Sequence, residues 1–303
     1  MKTLEDLLRE GTVLLHTAEI EEARLDAWLL LEYVTGKNRA YYYAHSDEPA
    51  DCAEEEKYLE LCRRRAAHVP LQHLSHSAWF MGDEFYVDRR VLVPRQDTET
   101  LAEKAVEILR EKTEPEILDM CTGSGCILLS ILAEYPNARG VGADISREAL
   151  EVARKNAERM SLEERTAFIE SDLFSGDYFQ KNSGKKRQEY DMLISNPPYI
   201  PTAEIQNLMD EVRLYDPVSA LDGKEDGLYF YRRITKEASG FLKNGGWLLY
   251  EIGCDQGEAV SKFLQKAGFR GVRVCQDLAG LDRVVLGQKK ETENTGGTTC
   301  LIN

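Results

Sequence analysis

The sequence predicts an α/β protein: a doubly wound parallel sheet preceded by a small helical domain and joined to it by a β-hairpin. Three observations carry this. From Glu116 onward, short apolar runs alternate with amphipathic helical stretches. The first seventy residues carry helical periodicity without strand signals. Between them, residues 71–93 lose the helical period and hold Trp79-Phe80, Phe85-Tyr86-Val87 and Val91-Leu92-Val93 around Gly82 and Asp88-Arg89, the pattern of a hairpin.

In chain order, Thr3 and Asp6 form a capping box ahead of Leu4, Leu7 and Leu8. Leu25, Trp28, Leu29 and Leu31 make a second apolar stripe, which Gly36 can terminate. A third helix is expected from about Asp51 to Arg65. After the hairpin comes Pro94-Arg95-Gln96-Asp97-Thr98-Glu99, where Asp97 or Thr98 can cap a helix carrying Leu101, Ala105, Val106 and Leu109. The alternating region then reads as a strand at Ile117-Leu118-Asp119, a helix through Ile127 to Leu132, a strand from Val141 to Asp144 and a helix from Ser146 to Met160. Strands follow at Phe168-Ile169, Met192 to Ser195 and Trp247 to Ile252, then a helix from Ala259 to Leu264. Val272 to Cys275 and Val284 to Leu286 close the edge as a hairpin. Lys181 to Glu189 reads as a solvated surface insertion, and the tail at 289–303, without core signal, as disordered. The expected domains are therefore 1–70, a linker at 71–93, and 94–288.

Composition narrows the function. A length of 303 residues, 43% hydrophobic, supports one large domain and a small one. A net charge of −15 opposes a protein that grips nucleic acid through its phosphates, since that depends on clustered Lys and Arg. Residues 1–75 are acidic too, with 9 Lys and Arg against 15 Asp and Glu, so this part is either a plain solvated surface or a docking face for a basic partner. Seven cysteines without a CxxC pair, after a start that does not resemble a signal peptide, read as a reduced cytoplasmic protein. No apolar run approaches a membrane span. All five histidines precede residue 80, and His73 and His76 lack companions at metal-site spacing, so they are expected to be ordinary loop residues and no metal is expected. Cys121 and Cys126 are expected to be small packing residues.

The most informative stretch is Asn196-Pro197-Pro198-Tyr199, directly after the run Met192-Leu193-Ile194-Ser195. Two prolines fix φ and lack N–H groups, so the carbonyls of Asn196 and Pro197 stay available to a ligand. A planar NH2 group has two hydrogens in its own plane; the Asn196 side-chain oxygen and the Pro197 backbone oxygen can accept one each, with Tyr199 stacking on the flat face. A second motif, Asp119-Met120-Cys121-Thr122-Gly123-Ser124-Gly125, follows a strand and opens a helix, so backbone can approach a ligand closely. A dinucleotide site would want a third glycine where Leu128 stands, which disfavours a pyrophosphate. S-adenosylmethionine has no phosphate and suits such a loop. Asp144, ending the next strand, can accept both ribose hydroxyls; Asp172 can meet an adenine amine and Leu173 pack on its ring.

Together with Thr122 to Cys126, Asp144-Ile145-Ser146, Ser171-Asp172-Leu173-Phe174, Pro94 to Glu99, Asp226-Gly227-Leu228, Glu251-Ile252-Gly253 and Asp282-Arg283, the Asn-Pro-Pro-Tyr turn resembles the peptide-chain release factor glutamine methyltransferases. The resemblance spans nearly everything but the final fifteen residues or so. It implies a seven-stranded, Rossmann-like methyltransferase sheet, a helical N-terminal domain for substrate recognition, and S-adenosylmethionine-dependent methylation of the glutamine amide in the Gly-Gly-Gln motif of release factors. It implies that Thr122, Gly123, Ser124, Gly125, Cys126, Asp144, Asp172, Leu173 and Asn196 contact the cofactor, and that Asn196, Pro197, Pro198 and Tyr199 hold the glutamine. Two places depart from the pattern: Ser75 stands where glycine is usual, and Tyr215-Asp216-Pro217 has aspartate where glutamate is commoner. DNA adenine amino-methyltransferases use the same turn on another conjugated amine, but need a flipped base and a basic groove, against the acidic balance. A ribosomal-protein glutamine methyltransferase would share the chemistry; the short helical N-domain and Pro94 to Glu99 favour the release-factor reading.

Overall fold

A computed structural model describes residues 2–180 and 188–291. Most of the expected insertion and tail, 181–187 and 292–303, therefore lies outside the described residues. The chain divides into two compact units: Met1–Pro94 with Ala203–Leu221, and Arg95–Thr202 with the chain from Asp222 onward.

The first unit begins with α1 (Leu4–Thr17), where the Thr3–Asp6 capping box forms as expected. Then come α2 (Ala23–Thr35), closed by Gly36 at φ +67, α3 (Arg39–Ala44), α4 (Cys52–Ala66), capped by Asp51 and Glu54, and α5 (Leu71–Ser75). Gly11 lets α1 approach α4: a Cβ there would lie 2.0 Å from the Tyr58 hydroxyl, which accounts for a glycine in a helix interior. The expected stripe on α2 is corrected, because Leu25 and Leu29 are 44% and 38% exposed, while Ala27, Trp28, Leu30 and Leu31 are buried. Asp26 turns inward among them, since its carboxylate meets Arg65 of α4 at 2.6 Å. The hairpin is β1 (Ala78–Phe80) paired antiparallel to β2 (Asp83–Phe85), shorter than expected. Val91 and Val93 are buried but are not strand: Asp88 accepts from the Arg90 backbone N–H at 3.0 Å and turns the chain. Of the two expected loop histidines, His73 instead lies buried within α5, while His76 follows that helix in a turn, in the left-handed region, and stacks on Tyr86.

The second unit opens with α6 (Gln96–Leu109), whose N-cap is Arg95. Asp97 and Thr98 thus sit inside the first turn rather than capping it, and tertiary partners take their side chains. The α/β series follows: β3 (Glu116–Met120), α7 (Cys126–Glu134), β4 (Arg139–Asp144), α8 (Arg147–Arg159), β5 (Thr166–Glu170), the short α9 (Asp177–Gln180) and β6 (Tyr190–Ser195). The excursion back to the first unit holds α10 (Asp210–Tyr215) and α11 (Val218–Leu221), fastened there by Glu211 to Arg65 at 2.5 Å and by the Tyr215 hydroxyl to the Ala67 carbonyl at 2.7 Å. The second unit ends with α12 (Tyr229–Ala238), β7 (Leu242–Glu251), α13 (Gly257–Lys266), β8 (Arg270–Gln276) and β9 (Asp282–Gln288).

The sheet has seven strands in the order β5-β4-β3-β6-β7-β9-β8. Six run in one direction and β9, wedged between β7 and β8, runs against them. Every residue of β6 is buried, as a central strand covered on both faces requires. The winding reverses between β3 and β6, and in such sheets ligands bind at the carboxyl ends of the strands beside that switch point.

Candidate active site

Met120 and Ser195, the last residues of β3 and β6, are direct partners in the parallel ladder, and the Ser195 hydroxyl donates to the Met120 carbonyl at 2.5 Å. The glycine loop and the Asn-Pro-Pro-Tyr turn therefore leave the sheet side by side at the switch point. Asp144 and then Asp172 follow the next two strand ends outward, so four ligand-type segments line one edge of the sheet.

The glycine loop is held from beneath. The N–H groups of Cys121 and Thr122 both donate to the Ala143 carbonyl, at 2.8 and 3.1 Å, and Asn156 of α8 donates to the Ser124 carbonyl at 2.9 Å. Cys121, Gly123 and Gly125 all have positive φ, a conformation costly for the cysteine and free for the glycines. A Cβ on Gly123 would meet nothing within 4 Å, so this part of the loop faces open space. Thr122, Ser124 and Cys126 are buried; Cys126 is a packing thiol, as expected, with burial pushing it up to about 12.

Electrostatics decide what the loop accepts. The Gly123 N–H, which a phosphate would need, already donates to Asp144 at 3.0 Å, and the other Asp144 oxygen accepts from the Ser146 N–H at 2.9 Å. A carboxylate in that position repels a pyrophosphate, and burial raises its pKa above the ordinary range. Asp119 is fully buried; one oxygen accepts from the Thr122 hydroxyl at 2.6 Å and the other, Oδ1, has no partner among the described residues. Burial, opposed by the Thr122 bond, pushes it up to about 7. An orphaned carboxylate oxygen, a second carboxylate and an open glycine suit a ligand that is cationic and bears hydroxyls.

Asp172 and Leu173 follow the end of β5. The Asp172 carboxylate is forked by the Arg233 guanidinium at 2.8 and 3.1 Å, so each oxygen keeps only its remaining lone pair for a ligand. Leu173 has φ +53 and is buried in the core beside the sheet.

On the turn, Pro197 and Pro198 are buried while Asn196 and Tyr199 are half-buried. Among the described residues, no backbone N–H of a loop or turn donates to the carbonyl of Asn196 or Pro197. Asn196 Nδ2 donates to the Thr98 hydroxyl at 3.5 Å, and the Tyr199 hydroxyl donates to Glu251 Oε1 at 3.5 Å. Glu251 ends β7 and is 2% exposed; burial pushes its carboxyl up to about 7 against the opposing influence of Thr98 and Arg283. Gln256 donates to the Tyr199 carbonyl at 3.0 Å, and Gly227, at φ +70, packs so tightly that a Cβ would lie 2.3 Å from the same oxygen. Periodicity did not single out Thr98, Glu251 or Gln256 as site residues; a glutamate closing an apolar strand, Leu248-Leu249-Tyr250-Glu251, was the signal available.

Comparison with known proteins agrees with this geometry. Residues 6–75 match the protein-family model described as the PrmC N-terminal domain, and residues 98–212 match the methyltransferase small domain. The release factor glutamine methyltransferase of Chlorobaculum tepidum is 38% identical over 283 residues, covering 92% of this chain and 94% of that protein. Its counterparts from Geobacter sulfurreducens and Moorella thermoacetica are each 39% identical; the alignments cover 89% and 95% of this chain and 90% and 99% of theirs. With the glycine loop and the Asn-Pro-Pro-Tyr turn on paired strand ends, and with identity at this level over nearly the whole length, the chain belongs to the release factor glutamine methyltransferase family.

Proposed function

We propose that this chain methylates the side-chain amide nitrogen of the glutamine in the Gly-Gly-Gln motif of peptide-chain release factors, with S-adenosylmethionine as donor. The supporting observation is the pairing of Met120 with Ser195, which sets a loop suited to a cationic ligand beside two oxygens suited to an NH2 group. S-adenosylmethionine, when bound, supplies a methyl group activated by a sulfonium sulfur. Asp144 would hold its ribose hydroxyls, and the orphaned Asp119 oxygen with the Thr122 to Cys126 loop its amino-acid end. Leu173, with the lone pairs that Arg233 leaves on Asp172, would bound the adenine.

The chain's own contribution is placement. An amide nitrogen is a poor nucleophile because its lone pair is delocalised into the carbonyl. Accepting its two hydrogens at Asn196 Oδ1 and the Pro197 carbonyl pushes electron density onto nitrogen and fixes its direction, and such fixing can supply several kcal/mol of the barrier, out of roughly 7 to 11 for ideal orientation. The proton that nitrogen sheds on gaining a carbon substituent leaves through one of those acceptors or water. The six cysteines among the described residues are all free thiols, in keeping with work in the reducing cytoplasm.

The test is incubation with methyl-labelled S-adenosylmethionine and, separately, purified release factor, ribosomal proteins and DNA, followed by mass-spectrometric location of the label. Label on the Gly-Gly-Gln glutamine is the expected result. Label confined to ribosomal protein or to nucleic acid would replace this reading.

A further inference from the structure

We propose that Thr98 and Glu251 are positioning residues that lock the Asn196 carboxamide, drawing its NH2 group backward so that Oδ1 faces the substrate. The inference rests on the proposed amide clamp and adds what makes it work. A carboxamide has an acceptor end and a donor end of nearly equal size. Turned by half a rotation, Asn196 would present two hydrogens to the two hydrogens of the incoming NH2 group, and the clamp would repel what it should hold.

The surroundings decide the orientation. Behind Asn196 stand acceptors: the Thr98 hydroxyl, 3.5 Å from Nδ2, and the Glu251 carboxylate, toward which both Thr98 and Asn196 direct hydrogen-bonding groups. Thr98 is 3% exposed and Glu251 2%, so water does not compete at either. Glu251 Oε2 has no hydrogen-bond partner among the described residues, and an orphaned carboxylate oxygen in the core is an unfilled demand for a donor. The Thr98 hydroxyl has one hydrogen. Donated toward Glu251, it leaves the oxygen lone pairs of Thr98 directed to Asn196 Nδ2, so a chain forms from Asn196 to Thr98 to Glu251. The Tyr199 hydroxyl donates to the other Glu251 oxygen at 3.5 Å, so both ends of the turn answer to one carboxylate. Both contacts are long at 3.5 Å, a length common in catalytic hydrogen bonds of ligand-free sites. Burial raises the Glu251 carboxyl first, Thr98, Arg283 of β9 and Asn196 oppose it, and Asp97 of α6 adds to it; the other titratable groups that feel its charge are Tyr199 of the turn, Tyr231 of α12 and Cys126 of α7.

The experiment uses the full chain and four variants: Thr98→Val, Thr98→Ser, Asn196→Ala, and Thr98→Val combined with Asn196→Ala. Thr98→Val keeps shape and removes the hydroxyl. It should lower kcat on release factor about 10- to 100-fold, with KM and S-adenosylmethionine affinity held within about threefold. Thr98→Ser should restore kcat, and Thr98→Val should cost nothing further once Asn196 is alanine, because the two act as one unit. The second readout does not depend on activity: the side-chain NH2 resonances of Asn196, assigned by their loss in Asn196→Ala, should be slow to exchange in the wild type and fast in Thr98→Val. Unchanged NH2 exchange in a folded, cofactor-binding Thr98→Val protein, or an equal Thr98→Val penalty with and without Asn196, would overturn the proposal. Wild-type protein that leaves release factor unlabelled while its Asn196 resonances respond as expected would instead fault the substrate reading and leave the lock standing.

Discussion

Gln256 donates its side-chain NH2 to the backbone carbonyl of Tyr199 at 3.0 Å, tying the first turn of the region before α13 to the last residue of the Asn-Pro-Pro-Tyr motif. Its Oε1 accepts from the Gly253 N–H at 3.0 Å and from the Tyr231 hydroxyl at 3.3 Å. One buried amide thus satisfies the Gly253 N–H and the Tyr199 carbonyl, which would otherwise be left bare, while the Tyr231 hydroxyl keeps a shorter bond to the Glu251 carbonyl at 2.9 Å. Replacing it by leucine strands those groups, and each stranded buried group costs about 1 to 3 kcal/mol. Gln256→Leu should lose roughly 2 to 4 kcal/mol in urea unfolding; a loss below measurement error would remove Gln256 from the turn's support.

Asn196→Ala removes one of the two acceptors of the clamp and touches no hydrogen bond of the glycine loop. Turnover on release factor should fall about 10²-fold or more, while S-adenosylmethionine affinity by calorimetry stays within a few-fold. Wild-type turnover in this variant would mean that the amide is held elsewhere.

In the first unit, Arg65 lies buried between Asp26 at 2.6 Å and Glu211 at 2.5 Å, joining α2, α4 and the excursion residue that follows the sheet's fourth strand. Arg65→Met leaves Asp26 as an uncompensated buried charge and should cost about 3 to 5 kcal/mol. Adding Asp26→Leu should recover much of this, because well-packed apolar pairs replace buried ion pairs at little cost. Chemical denaturation of the single and double variants gives the answer.

Two buried carboxyls, Asp119 and Glu251, stand at about 7 because burial disfavours their charged forms. Each is therefore protonated in the native state over a range where the unfolded chain, titrating near 4, has released its proton. The native state binds more protons between about pH 4 and 7, so these groups make stability fall as pH rises through that window. Their full stabilising contribution is present below pH 4. At about 1.4 kcal/mol per pKa unit the swing is of the order of 3 to 4 kcal/mol for each. Asp119→Asn should flatten the decline in Tm measured from pH 5 to pH 8, and an unchanged slope would show that Asp119 is charged in the fold.

The sequence by itself determined the order of the seven strands of the second unit with helices α6, α7, α8 and α13, though not α9 or α12, the capped start of α1, and the two motifs at the ends of β3 and β6. These are local signals, written in period, caps and turn chemistry between near neighbours. Tertiary structure alone decided the rest. Leu25 and Leu29 face outward because an acidic side chain on the same helix found a buried arginine 39 positions away. Residues 203–221 leave the sheet to join the helical unit because Glu211 and Tyr215 find partners there. Asn196 meets a threonine 98 positions distant, on α6, and Tyr199 a glutamate 52 positions distant, a pairing that exists only once β6 and β7 lie side by side. The chemistry-bearing residues were legible because backbone geometry demands particular types at strand ends. The residues that aim them were not, because aiming is done by whichever side chains the fold brings within reach.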